Sequence, residues 1–180
     1  MLILTYHSVS NRRQDELAVS VENFDRQMKY FYKKGYRTIS LAQAIEKKDL
    51  SSKSFVITFD DGYQDNYTNA YLILKRYGFS ATIFLITGYI GTDRFFKPER
   101  YIERYGGREE DYRFLNWEEI REMSNNGIEF GSHSITHPSL TSLSRKEAWR
   151  EIKDSKLKIE AMIQKTIKFF SYPYGDFNGR

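Results

Sequence analysis

With 180 residues, 40% of them hydrophobic, the chain suits one globular domain with a sizeable core rather than two. The formal charge of +4 is a mild excess that fits an acidic partner or an ordinary solvated surface equally well, and no RNA- or DNA-binding motif accompanies it. Zero cysteines exclude disulfides and thiolate metal sites, which leaves histidines and carboxylates as the strong ligands, and no apolar run approaches the roughly 20 residues that span a bilayer.

In chain order, residues 2–6 read as a strand ending at His7, ahead of a polar loop that reaches Asp15. This opening apolar run is too short for a signal-peptide core and lacks a basic leader, so the expected location is cytoplasmic by default, or extracytoplasmic if a leader was removed. Ser20 starts a helix whose apolar positions, spaced by three and four, pass through Phe24, Met28, Phe31 and Tyr32 to Gly35. Residues 36–39 form a strand, and Ser40 with Gln43 makes a capping box for a short helix carrying Leu41, Ala44 and Ile45.

Residues 55–59 are short, aromatic and β-branched, as a core strand requires. Asp60 and Asp61 follow directly, and Gly62 permits the angles of a sharp exit turn. Asp65 and Asn66 are placed to cap the next helix, whose apolar face is Tyr67, Ala70, Tyr71, Leu74 and Tyr77, with Gly78 as its stop. A strand over 80–86 completes a βαβ unit.

The stretch 91–111 mixes Arg94, Lys97, Arg100, Arg104 and Arg108 with Phe95, Phe96, Tyr101 and Tyr105. It reads as charged surface ahead of a substrate-facing insertion. Asn116 and Glu119 box the start of a helix over 117–125, and a strand follows over 127–130. Ser144 and Glu147 open a helix through Ala148, Ile152, Ile159 and Ile163, and a last strand over 166–170 leads into Ser171-Tyr-Pro-Tyr-Gly175. Six strands alternating with helices make an α/β fold with a mostly parallel sheet or barrel, in which all strand carboxyl ends share one face. His7, Asp60 with Asp61, His133, and the turn at Tyr174 each follow a predicted strand and so belong on that face.

Two adjacent aspartates repel unless a cation or a shared proton sits beside them; an acidic helix-capping turn is the plain alternative. His133 and His137 stand four apart, and Pro138 disfavours a regular helix at His137, so a loop or single turn is expected there. By itself such a pair is as readily two surface histidines. With one aspartate it becomes two imidazoles and a carboxylate, which suits Zn²⁺ with an open coordination position. The same set serves non-haem iron oxygenases, but the aspartate doublet and the α/β pattern argue against that. Hydrolysis of an acyl bond is then the natural reaction. One aspartate ligates, the other takes a proton from water, a separate histidine protonates the leaving group, and a backbone N–H holds the oxyanion. His7 and the turn at Tyr174 can fill the last two posts.

Thr58-Phe-Asp-Asp-Gly62, His133-Ser-x-x-His137 and Ser171-Tyr-Pro-Tyr-Gly175, in this order, resemble the polysaccharide deacetylases of carbohydrate esterase family 4, the NodB-homology domain, over about residues 54–176. The resemblance implies a distorted (β/α) barrel and metal-dependent removal of N-acetyl groups from an N-acetylglucosamine-containing polysaccharide. It implies Asp60 as general base, Asp61, His133 and His137 as ligands of Zn²⁺ (or Co²⁺ or Ni²⁺), and Tyr174 as oxyanion donor through its backbone N–H.

The family often has Arg where this chain has Ser171, and its later motifs, including the one carrying the acid, would lie beyond Arg180. Leu4-Thr-Tyr-His7 resembles the relocated acid motif of the branch that deacetylates poly-β-1,6-N-acetylglucosamine, where Ser or Ala at the Arg position is also familiar. His7 is thereby implied as the acid, a structural histidine at a strand end being the alternative. The expectation is one such domain over residues 1–180, either truncated at its C-terminus or with a barrel that stays open. Its partner would be an N-acetylated amino-sugar polymer. The rival functions are a non-catalytic glycan-binding homologue and an O-acetyl sugar esterase.

Overall fold

The computed structural model describes residues 1–46, 51–94 and 98–178. In chain order the elements are β1 (Leu2–Tyr6), β2 (Ser8–Val9), β3 (Ala18–Val19), α1 (Val21–Lys33), β4 (Arg37–Thr38), α2 (Leu41–Glu46) and β5 (Ser54–Phe59). A π-helical turn (Asn66–Tyr71) then runs into α3 (Leu72–Tyr77), followed by β6 (Thr82–Leu85), α4 (Pro98–Tyr105), α5 (Trp117–Asn125), β7 (Glu129–Ser132) and α6 (Arg145–Ile163).

The main sheet is parallel throughout, in the order β1-β5-β6-β7, and β4 shares with β6 one edge of β5. β1 lies in register on β5 from Leu2 opposite Phe55 to Tyr6 opposite Phe59. β5 is buried along almost its whole length, with Phe55, Val56, Ile57, Thr58 and Phe59 all inside, as a central parallel strand covered on both faces must be. Helix α1 is capped by the Ser20 side chain and buries Phe24 and Met28 on the sheet. Phe31 stacks on Phe55 with ring centroids 4.6 Å apart, and Phe79 meets Phe55 edge-on at 5.3 Å.

The strands form the expected α/β parallel sheet but do not close into a ring among the described residues. The predicted strand over 166–170 is the main departure. It contributes one bridge, Phe170 to Ser132, because the Ile167 amide donates to the Glu160 carboxylate instead of to a ladder. The strands predicted over 36–39 and 80–86 shorten to β4 and β6, and the one predicted over 127–130 shifts to β7. Asp65 makes no helix cap: its carboxylate accepts from the Val9 N–H at 3.1 Å and from the Ser8 hydroxyl. Asn66 and Asn69 likewise donate to the carbonyls of His7 and Val9, at 2.8 and 2.7 Å. The side chains that would cap the helix are used to pin the segment after β1.

Within 91–111, Phe95, Phe96 and Lys97 lie outside the described residues. The rest carries α4 and the beginning of a 3₁₀ turn, Glu109–Tyr112, and none of its described side chains reaches the cleft discussed next.

Candidate active site

Because β1, β5 and β7 run parallel, the residues just past them meet at one end of the sheet. His7, Asp60, Asp61, His133, His137 and Tyr174 all line a single cleft of about 340 Å³, together with Leu17, Tyr63, Tyr172 and Gly175. Larger hollows of about 960 and 480 Å³ lie along α6 and beside Arg12, but among the described residues neither brings three ligating side chains close enough to share a metal ion.

The backbone here is unusual. Of five non-glycine residues with positive φ among the described residues, four are in or beside the cleft: Asp61 (72°), Ser134 (68°), His137 (60°) and Tyr174 (61°). Such angles cost about 1–3 kcal/mol each for an L residue and persist only where surroundings enforce them, which is characteristic of functional sites. The Ser134 hydroxyl accepts from the His137 N–H at 3.0 Å and closes the turn between the two histidines, a loop as expected from Pro138.

Asp61, His133 and His137 each offer a ligand atom, and these lie within 4.8 Å of one another. The two Nε2 atoms are 3.1 Å apart, and Asp61 Oδ1 is 3.5 Å from both. His133 Nδ1 donates to the Ser171 carbonyl at 2.8 Å, which leaves its Nε2 lone pair facing Asp61. All three residues are buried. Burial pushes His133 down to about 4, so at neutral pH it meets Asp61 as a neutral imidazole and not as an ion pair. Burial, with help from Asp60, pushes Asp61 up to about 7, against the opposing pull of Arg13 and a hydrogen bond from Tyr63. Two imidazoles and a carboxyl group, all converging and shielded from water, are the donor set that a divalent cation such as zinc takes.

Asp60 stands outside this trio. Burial raises its pKa, while His7 and a hydrogen bond from Ser171 hold it back. Burial lowers the His7 pKa, with Asp60 as the main opposing influence. The two face each other because the Asp60 amide donates to the Tyr6 carbonyl at 3.0 Å, continuing the β1–β5 ladder by one rung. Tyr174 packs its ring edge-on against His137 at 4.7 Å.

The sequence model of polysaccharide deacetylases matches residues 47–180. The chain belongs to the polysaccharide deacetylase family. Relatives agree. The Bacillus subtilis (strain 168) protein YxkH is 35% identical over 98% of this chain and 57% of its own length. A poly-beta-1,6-N-acetyl-D-glucosamine N-deacetylase of Staphylococcus aureus (strain N315) is 28% identical over 96% of this chain and 59% of its own. The chain therefore spans somewhat more than half the length of these relatives. Among solved structures, the Streptococcus pyogenes deacetylase PplD in complex with acetate superposes with a TM-score of 0.84 at 27% identity, covering 99% of this chain and 76% of that one.

One element packed behind Tyr63, beside this cleft, had no sequence signal. In the loop after β2, Arg13 and Asp15 form a fully buried pair, Nε to Oδ2 at 2.8 Å and the second guanidinium nitrogen to Oδ1 at 3.0 Å. The guanidinium is sandwiched between the rings of Tyr63 and Tyr112, at 4.2 and 4.4 Å. Two charges two residues apart in a polar loop look like solvated surface until the tyrosines from distant segments are placed around them.

Proposed function

We propose that this chain is a zinc-dependent N-deacetylase acting on an N-acetylglucosamine-containing polysaccharide, with a β-1,6-linked polymer as the first substrate to try. The single observation that carries this reading is the convergence of Asp60 and His7 on the Asp61, His133 and His137 set within one cleft. The named N-deacetylase among its relatives supports the amide over the ester as the bond cleaved.

Asp61, His133 and His137 would hold the cation, which when bound polarises an acyl oxygen and makes water a stronger acid. Asp60, left unligated beside it, accepts the proton from the attacking water. Its raised pKa makes it a better base than a solvated carboxylate. The Tyr174 backbone N–H, presented by its left-handed turn, donates to the oxygen that gains negative charge. His7, across the cleft, protonates the departing amine, so the amide nitrogen leaves as a neutral amino group and acetate is released. Leu17 and Tyr172 add apolar surface to the walls. Co²⁺ and Ni²⁺ accept the same ligands, and availability decides among them.

The test is acetate release from β-1,6-linked N-acetylglucosamine oligomers by the zinc-loaded chain, with β-1,4-linked oligomers and an O-acetylated sugar as comparisons. Release from the amides supports the reading; release from the ester alone moves it to an esterase. Glycan binding with no acetate produced makes the chain a binding module.

A further inference from the structure

The loop that carries both histidines bends through two left-handed residues, Ser134 and His137, which nothing in the loop's own sequence requires. We infer that a polar stripe on α6 holds it in shape, with Glu151 as the positioning residue for the His133 and His137 pair. This rests on the metal-site reading above.

Glu151, Ser155 and Lys158 are spaced by four and three, so they project from one side of α6. Each bonds to the ligand loop or to its neighbour. The Glu151 carboxylate accepts three hydrogen bonds from the loop: Oε2 from the amides of Ile135 (2.7 Å) and Thr136 (2.9 Å), and Oε1 from the Thr136 hydroxyl (2.9 Å). The Ser155 hydroxyl bonds that of Ser132, the residue before His133, and both serines are buried. Lys158 donates to the Thr87 carbonyl at 2.9 Å. The Thr87 and Gly88 amides in turn donate to the carbonyls of Ser134 (3.1 Å) and Ile135 (2.8 Å).

The loop is thus gripped from both sides between residues 132 and 136. A Cβ at Gly88 would lie 2.5 Å from the Ile135 carbonyl oxygen, so this approach requires glycine. Glu151 carries the most of the grip, because a carboxylate accepts from several N–H groups at once and such charge-assisted bonds are the stronger kind. A glutamine there can keep its one oxygen on the two amides and donate from its N–H₂ group to the Thr136 hydroxyl, but it gives up the charge that strengthens these bonds. Without the carboxylate, the Ile135 and Thr136 amides turn to water and the imidazoles lose their fixed separation. Partners that orient a ligand in this way typically change metal affinity about 10- to 100-fold.

The experiment measures Zn²⁺ affinity of the full chain by competition with a chromophoric chelator, alongside amide hydrogen exchange at Ile135 and Thr136. The variants are Glu151→Ala, Glu151→Gln and Thr136→Val. The expected result is a loss of roughly tenfold or more for Glu151→Ala, a smaller loss for Glu151→Gln, and the least for Thr136→Val, with faster exchange at both amides in the Glu151 variants. If Glu151→Ala does not fold, Glu151→Gln decides by the same reading. Wild-type zinc affinity in a folded Glu151 variant overturns the inference, as does a lowered melting temperature with unchanged affinity, which would make the residue merely structural. Zinc alone is the probe, so a wild-type chain that releases no acetate refutes the proposed function and leaves this comparison standing.

Discussion

Ser171 is bonded to both halves of the cleft: its hydroxyl donates to Asp60 Oδ2 at 3.4 Å while its carbonyl accepts from His133 Nδ1 at 2.8 Å. The first bond favours the ionised form of Asp60 and the second fixes the His133 ring, so in the proposed mechanism one residue serves the base and the metal site through different atoms. Ser171→Ala removes only the hydroxyl. The acid limb of the rate profile then moves to higher pH, since Asp60 must be deprotonated to act and loses a group that lowers its pKa. The rate below the optimum falls by roughly two- to tenfold, the size of one ordinary hydrogen bond of about 0.5–1.5 kcal/mol. Zinc affinity stays unchanged. A parallel fall in zinc affinity would contradict this division of labour.

His7 gives the opposite limb. A general acid works protonated, so activity declines as pH rises through its pKa, which burial lowers against the opposing Asp60 carboxylate. His7→Asn should cut kcat by roughly 10²- to 10⁴-fold and abolish the alkaline limb, with metal content kept. A variant that retains the wild-type profile would make His7 a structural residue at the end of β1.

Metal uptake should carry a proton signature. In the metal-free protein Asp61 is held at about 7, chiefly by burial. Its acid form therefore predominates at pH 6, by about ten to one, and its ionised form by the same ratio at pH 8. Zinc needs the carboxylate, so binding releases about one proton at pH 6 and almost none at pH 8. His133, pushed down to about 4, is already neutral at both and adds nothing. Titration calorimetry in buffers of different ionisation enthalpy measures the count; equal proton release at the two pH values would rule out Asp61 as the titrating ligand.

Stability should depend on Arg13. Arg13→Ala leaves the Asp15 carboxylate buried without its partner, at a cost of about 3–5 kcal/mol. Arg13→Lys keeps a charge but loses the two-pronged contact and the flat stacking on Tyr63 and Tyr112, so an intermediate loss is expected. Chemical denaturation of the metal-free chain compares the three. Equal midpoints would mean that the pair is solvated in solution.

The sequence revealed which end of the sheet carries the cleft because strand ends in a parallel sheet all point one way, so a histidine or aspartate just past a strand needs no tertiary information to be placed. The boxes Ser40 with Gln43, Asn116 with Glu119 and Ser144 with Glu147 all form, being local bonds between residues three apart. Distant partners defeated the other readings. Asp65 and Asn66 satisfy every local rule for a helix cap, yet the backbone after β1, more than 50 residues away, takes their hydrogen bonds. Glu160 intercepts the amide that strand pairing at 166–170 would need. Glu151, Ser155 and Lys158 did leave a trace: polar residues at helical spacing along a helix that also buries Ile159.

The most direct test combines zinc content with acetate release on one preparation, using β-1,6-linked N-acetylglucosamine oligomers and both the wild-type chain and Asp60→Asn. The prediction is about one zinc per chain in each, with acetate from the wild type, lost on chelation and restored by zinc, and about one hundredth or less of that rate from Asp60→Asn. Undiminished acetate release from zinc-loaded Asp60→Asn, or a wild-type chain that binds no zinc through Asp61, His133 and His137, would contradict the account.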